Sequence, residues 1–141
     1  MKQREYKFRA WDTRYRCMFT PEKIDFYNFT LQIEEGCIWD SWDPNGNEKV
    51  ILMQYAGMRD HRGIEIYEGD IVSMEAMTPG ATSIVGEVRF EESCYWVVRE
   101  KEEKAVRLFQ EGVYIQKIGN IYENSAFYNS VLKGAKNETK A

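Results

Sequence analysis

The sequence predicts a mainly β protein folded as an antiparallel barrel or roll. Aromatic residues make up 14% of the 141 residues, and aromatic and β-branched side chains favour strands over helices. About eight to ten short apolar segments alternate with turn-forming residues along the chain. Closure into a barrel removes the strand edges whose unpaired backbone groups would otherwise promote aggregation.

The first two predicted strands form a hairpin. Tyr6, Phe8 and Ala10 alternate with polar residues, as in a strand with one inward face. A turn over residues 12–14 leads into a second strand over residues 15–19. Pro21 then ends this strand, because proline cannot donate a hydrogen bond to the ladder.

The middle of the chain predicts two more strands and two glycine turns. Residues 26–33 alternate in polarity, whereas residues 50–55 are almost continuously apolar, which indicates a strand covered on both faces. Residues 60–63 have aspartate first and glycine fourth, as a type I turn prefers. Residues 68–70 offer a second reversal, where glycine can adopt a positive φ.

The C-terminal half completes the predicted β-structure. Gly86 predicts a bulge or a close backbone approach, and the charged residues 100–104 predict a solvated hairpin tip. Residues 126–132 predict a short helix. The turn, strand, loop and glycine-containing strand in this half are typical of small SH3-type barrels. Further strands are predicted over residues 71–75, 84–90, 95–99, 105–109 and 113–118.

Composition predicts one domain in the cytoplasm. With 43% hydrophobic residues, residues 1–132 suit a single β domain, followed by a flexible polar tail over residues 133–141. The chain has no signal-peptide core and no apolar run near the ~20 residues that cross a bilayer, so no membrane association is expected. The three cysteines lack metal-ligand or redox spacing and are expected to be free thiols; they are Cys17, Cys37 and Cys94.

The sequence predicts no catalytic residues, no metal site and no cofactor. His61 is the only histidine and lies in a predicted turn, without a nucleophile motif. Neither a Walker nor a dinucleotide-binding glycine loop occurs. The acidic loop around Asp43 lacks the carboxylate that a calcium loop needs at its twelfth position, where Leu52 stands.

A metal-dependent nuclease is a third alternative for the function. Asp70, Glu87 and Arg89 distantly resemble the Asp, Glu and Lys cluster of magnesium nucleases. Arginine replaces the lysine, and because arginine is practically never deprotonated it is a poor proton-transfer group.

One basic and aromatic segment predicts a nucleic-acid contact. Single-stranded nucleic acids bind surfaces where aromatic rings stack on bases and cations pair with phosphates. The alternative is an ordinary first strand with buried aromatics and solvated cations, which suits the net charge of -4. The candidate contact residues are Lys7, Arg9, Trp11, Arg14 and Arg16.

Four motifs lie in order along the chain: FRAWD at residues 8–12, MQYAGM at 53–58, EIYEGDIV at 65–72 and GNIYEN at 119–124. Asp60 and Gly63 lie between the second and third motifs. In these residues the chain resembles the YopX family, small uncharacterised proteins typical of bacteriophages and prophages of Gram-positive bacteria. Ala56 and Ser125 depart from the residues common in the family, threonine and proline.

The resemblance implies an SH3-type barrel or roll with additional β-structure, in agreement with the predicted strands. It implies no activity, because the family has no known catalytic residues, and fold alone cannot supply a function. We therefore expect a non-enzymatic binding module for a host or phage protein in the bacterial cytoplasm, with self-association possible. Single-stranded nucleic-acid binding is the alternative.

Overall fold

A computed structural model describes residues 3–33, 40–43 and 49–133 of the chain. Of these residues, 52% lie in strands and 9% in helices, and the curled sheets include a half-barrel. The mainly β fold and the short C-terminal helix are thus confirmed, whereas the SH3-type topology stays a prediction. Cys37, most of the loop after Asp43 and the tail beyond Lys133 lie outside the described residues.

The chain divides into two compact units, Met1–Tyr55 and Ala56–Ala141. The long strand β6 (Val50–Arg59) begins in the first unit and ends in the second. Whether both units fold as one domain, as the composition predicts, stays a prediction. No helix within the described residues is long and apolar enough to cross a membrane.

The first unit contains two small antiparallel sheets. In one sheet β1 lies between β2 and the first half of β6; in the other β4 lies between β3 and β5. Both sheets contribute to one core of Ala10, Leu31, Trp42 and Val50. The strands are β1 (Phe8–Asp12), β2 (Cys17–Phe19), β3 (Lys23–Asp25), β4 (Thr30–Gln32), β5 (Asp40–Ser41) and β6 (Val50–Arg59).

The second unit is built on a five-stranded antiparallel sheet of order β11-β10-β9-β8-β12, and the short strand β7 is hydrogen-bonded to β6. One face of the five-stranded sheet is apolar, with Val72, Met74, Val88 and Ile115 in its core. The strands are β7 (Glu65–Tyr67), β8 (Asp70–Ala76), β9 (Ile84–Glu91), β10 (Cys94–Arg99), β11 (Lys104–Arg107) and β12 (Val113–Asn120).

Short helical turns complete the second unit. A 3-10 turn, Glu100–Glu102, lies at the β10–β11 connection, which is solvated as predicted. The helix α1 (Ser125–Phe127) continues into a π-helical turn (Tyr128–Leu132). We call these eight residues, 125–132, the C-terminal helix.

Two predictions about local backbone structure have different outcomes. A Cβ atom at Gly86 would lie 2.6 Å from the carbonyl oxygen of Val98, which confirms the close backbone approach. The single strand predicted over residues 26–33 is wrong, because a turn over residues 26–29 separates β3 from β4. The carboxylate of Asp25 stabilises that turn and so overrides the alternating pattern.

Candidate functional site

The residues predicted to contact nucleic acid lie on or next to the first hairpin, and they differ in exposure. Arg9 and Trp11 are buried, so neither presents a free surface to a base or a phosphate. Lys7 is half-buried, and its ammonium lies 5.5 Å from the centre of the Tyr55 ring. Two of the five candidate residues, Arg9 and Trp11, are therefore part of the protein interior.

The other two candidates lie in the β1–β2 turn. Asp12 accepts the backbone N–H of Arg14 at 2.9 Å, and the Arg14 guanidinium pairs with Asp12 at 3.0 Å and with Asp40 at 3.1 Å. Burial opposes ionisation of Asp12, but the Arg14 contacts outweigh it and lower its pKa. Arg16 is exposed beside Tyr15, which is 74% exposed. Arg14, Tyr15 and Arg16 are thus all exposed to solvent at this turn.

The residues of the predicted turn at 60–63 bind the chain's own backbone. The buried carboxylate of Asp60 accepts N–H groups of Arg62 at 2.8 Å, Ile64 at 2.9 Å and Lys117 of β12 at 2.9 Å. Burial opposes its ionisation, but these backbone donors outweigh it and lower the pKa of Asp60 to about 2. Gly63 donates to the Asp60 carbonyl at 2.9 Å, which confirms the predicted turn.

His61 is exposed in that turn, as predicted, and it has a structural role. Its Nδ1 accepts the backbone N–H of Ile115 at 2.9 Å, so the neutral ring carries its proton on Nε2. The ring stacks on Tyr114 with centroids 4.8 Å apart. His61 therefore helps to hold the turn against β12, and no nucleophile approaches it among its described contacts.

The polar residues of the GNIYEN motif also hold a turn. Asn120 accepts the N–H groups of Tyr122 at 3.0 Å and Glu123 at 2.8 Å, while the Asn124 side chain accepts the Asn120 N–H at 3.1 Å. A Cβ atom at Gly119 would lie 2.4 Å from the Asn124 side-chain oxygen. Packing and turn geometry therefore explain this motif without a ligand.

The acidic pair needed by a nuclease does not converge. Ile71 is directly opposite Glu87, and because side chains alternate along a strand, Asp70 lies on the other face of the sheet from Glu87. Asp70 accepts the Tyr67 N–H at 2.7 Å and pairs with Lys117 at 3.2 Å. The described residues contain no group of three or more His, Cys, Asp or Glu side chains able to hold a metal ion.

An open cleft of about 400 Å³ lies in the second unit beside β8 and β9. Its walls include Ser73, Ser83 and Lys104. A second cation in the wall, Arg99, is held by Glu102 and by the Val85 carbonyl.

A turn in the first unit presents three aromatic side chains to solvent. Phe26 is 56% exposed, Tyr27 89% and Phe29 44%. We call residues 26–29 the aromatic turn. Asp25 fixes its backbone: one carboxylate oxygen accepts the N–H groups of Tyr27 at 2.9 Å and Asn28 at 3.1 Å.

Aromatic packing supports the base of the aromatic turn. Phe26 and Phe29 both pack edge-on against Trp42, with centroids 5.8 and 5.6 Å away, and Phe26 also contacts Phe8 at 5.6 Å. The backbone N–H of Trp42 donates a hydrogen bond to the Phe29 carbonyl at 3.1 Å. The rings are therefore held in a defined arrangement while much of their surface stays exposed.

The sequence analysis missed the aromatic turn, although a signal was present. An aspartate side chain that accepts the backbone N–H groups two and three residues later forms an Asx turn, as Asp25 does here. Asn28 reinforces the turn because its side chain donates to the second Asp25 oxygen at 2.8 Å. The hydrogen bonds from Asn28 are the main reason that the pKa of Asp25 is lowered.

These features define a class of small β protein whose motif polar residues stabilise turns and whose exposed aromatic side chains offer a surface. The sequence profile described as "YopX protein" matches residues 7–127, and the chain belongs to the YopX family.

Two solved structures are similar to the chain, each at 23% sequence identity and a TM-score of 0.57. The match to protein EF1440 from Enterococcus faecalis covers 90% of this chain and 100% of the EF1440 chain. The match to the protein YopX from Bacillus subtilis covers 84% of this chain and 94% of the YopX chain. No curated protein matches the sequence. At this identity the similarity shows the fold alone.

Proposed function

We propose that the protein is a non-enzymatic binding module of phage or prophage origin, and that its aromatic turn contacts a protein of the host or the phage. The exposure of Phe26, Tyr27 and Phe29 on one short turn carries this proposal. Aromatic side chains are enriched at protein interfaces and among the residues that contribute most to binding energy.

The rigidity of the aromatic turn supports a binding role. Association costs free energy for each side chain and loop that becomes ordered, so a surface already fixed in the free protein binds more tightly. Asp25 and Trp42 fix this turn from both sides. The phage or prophage origin and a partner in the bacterial cytoplasm rest on the resemblance to a family typical of such genomes.

A capture experiment with matched tyrosine variants tests the proposal. Tyr27→Ser removes the most exposed ring of the aromatic turn, whereas Tyr15→Ser removes a similarly exposed ring from the other turn of the same unit. In nuclease-treated bacterial lysate, we expect wild type and Tyr15→Ser to enrich the same protein, and Tyr27→Ser to enrich it at least about tenfold less, as a lost interface anchor predicts. Equal enrichment by all three proteins, or none, would overturn the proposal.

Self-association is distinguished by the size of the purified protein. If wild type and Tyr15→Ser elute as oligomers and Tyr27→Ser as a monomer, the protein bound by the aromatic turn is a second copy of this chain.

Single-stranded nucleic-acid binding is a second candidate, supported by the exposed turn of Arg14, Tyr15 and Arg16. The Arg14 guanidinium lies 5.3 Å from the centre of the Tyr15 ring, which places a cation beside a stacking surface. Fluorescence polarisation of labelled single-stranded DNA and RNA from low to moderate salt tests it. We expect binding that weakens with salt and with Arg16→Gln; no binding at low salt excludes the candidate.

A further inference from the structure

A buried carboxylate lies on the face of the five-stranded sheet opposite its apolar core. Glu87 of β9 is 7% exposed, and its carboxylate accepts the Nε hydrogen of Arg89 at 2.9 Å. Arg89 also donates to Glu100 of the 3-10 turn at 2.8 Å. One guanidinium is therefore shared by two carboxylates from different elements.

The C-terminal helix covers this pair. The Tyr128 hydroxyl accepts a hydrogen bond from the Arg89 guanidinium at 3.4 Å, and the same guanidinium pairs with Glu87 at 2.9 Å. Leu132, at the end of the same helix, is fully buried. If the helix moved away, Glu87 would gain access to water and Leu132 would lose its burial.

We propose that the C-terminal helix is a pH-sensitive latch over Glu87, closed most firmly under mildly acidic conditions and loosened as Glu87 becomes ionised.

The electrostatics of the covered site give the direction of the effect. Burial raises the pKa of Glu87, although Arg89 partly offsets this. Burial and the neighbouring Glu87 raise the pKa of Tyr128 to about 12, so its hydroxyl remains a donor throughout the neutral range. A carboxyl whose pKa is higher in the closed state stabilises that state at low pH, and this contribution is lost as the pH rises through the raised value.

Few other charges face Glu87 within the described part of the second unit. Ile71 of β8 and Val98 of β10 are directly opposite Glu87, and Trp96 is opposite Arg89. The remaining charged group on this strand face is Glu91, 3.8 Å from Arg89 and largely exposed. On the same sheet face, Arg107 of β11 is opposite Trp96, with its guanidinium 5.9 Å from the ring centre. The charged and titratable groups on this side are thus Arg89, Glu91, Glu100, Arg107 and Tyr128.

Hydrogen exchange of the full chain measures the latch directly. The Lys133 N–H donates to the Tyr128 carbonyl at 2.8 Å, and the Tyr128 N–H donates to the Asn124 carbonyl at 3.0 Å. After correction for intrinsic exchange, we expect the protection factors of these amides to be roughly threefold or more higher at pH 5 than at pH 8, since one pKa unit corresponds to a factor of ten. Equal protection at both pH values would overturn the proposal.

Two glutamine variants separate Glu87 from general effects of pH. Glu87→Gln keeps the shape but cannot ionise, and its protection factors should be independent of pH. Glu91→Gln removes the exposed carboxylate on the same strand face and should retain the wild-type dependence. Persistence of that dependence in Glu87→Gln would contradict the proposal.

A third variant tests the latch should Glu87→Gln fail to fold. Tyr128→Phe keeps the ring but removes the hydroxyl that contacts Arg89, the partner of Glu87. Its protection should be lower than that of wild type at pH 5. Wild-type protection at pH 5 in this variant would overturn the proposed role of the helix.

Discussion

Asp25 and Asp60 organise turns in different units with the same chemistry, a carboxylate that accepts backbone N–H groups of residues just after it. Asp25 is half-buried, and its described hydrogen bonds are exposed and reach no further than Asn28. The Asp60 carboxylate is buried and also accepts the N–H of Lys117, 57 residues along the chain.

The difference separates two uses of a turn. Asp60 joins distant strands, and its turn presents mainly groups that are already bonded within the protein. Asp25 stabilises only local backbone, and its turn exposes three aromatic rings. Stability and binding are therefore expected to depend on different turns, and variants can test whether they do.

The largest expected effect is loss of stability in Asp60→Asn. The asparagine Oδ1 can still accept the N–H groups of Arg62 and Ile64, but its NH₂ group would face the Lys117 N–H and the Arg62 guanidinium, which lose their acceptor. We therefore expect a loss of about 2–4 kcal/mol in the free energy of unfolding. Urea denaturation followed by circular dichroism measures it. Asp25→Asn is the matched control and should lose less, because water can replace its exposed contacts. Equal losses would remove the distinction between the two turns.

Acid should reveal the same distinction. Because the pKa of Asp60 is about 2 in the folded protein, below its ordinary value of 3.8, Asp60 stabilises the fold above pH 3.8, and this contribution is lost as the pH falls through 2. The loss amounts to about 2 kcal/mol. Asp12 and Asp25 also have lowered pKa values and contribute to the acid sensitivity of the wild type. The contribution of Asp60 is therefore obtained by measuring the change in urea midpoint from pH 5 to pH 2 in wild type and subtracting the same change in Asp60→Asn. Parallel pH curves for the two proteins would contradict it.

Much of the second unit could be predicted because its signals are local. The alternation of residues 84–90 and the spacing of Asp60 and Gly63 predict β9 and a turn correctly. The hydrogen bond from Lys117 to Asp60 could not be predicted, since nothing near either residue indicates a contact so distant in sequence.

The candidate site of the first unit was harder to predict. Residues 26–33 alternate in polarity, so the strand pattern concealed the competing Asx turn at Asp25. The charge of Arg9 suggested solvent exposure, yet its side chain is buried. Pattern alone does not decide burial, because the apolar stem of an arginine can pack against neighbouring side chains instead of extending into solvent.

A glycine variant extends the comparison to backbone conformation. Gly69 has a φ of 86° and donates to the Val88 carbonyl at 2.9 Å. Gly69→Ala forces a side chain into this left-handed conformation, with an expected loss of about 1–2 kcal/mol. Gly69→Asn is the control and should lose less in thermal unfolding, since asparagine tolerates positive φ. If alanine and asparagine are equally tolerated, the turn does not depend on this conformation.

The smallest expected change in stability belongs to Phe29→Asn, which tests the aromatic turn most directly. Phe29 has a φ of 55°, a conformation that asparagine adopts more readily than phenylalanine. Relief of backbone strain should offset the lost edge-on contact with Trp42, leaving the free energy of unfolding within about 1 kcal/mol of wild type. Capture of the protein partner should nevertheless fall as in Tyr27→Ser. A variant that is stable and still binds would show that the turn's shape, rather than its exposed rings, recognises the partner.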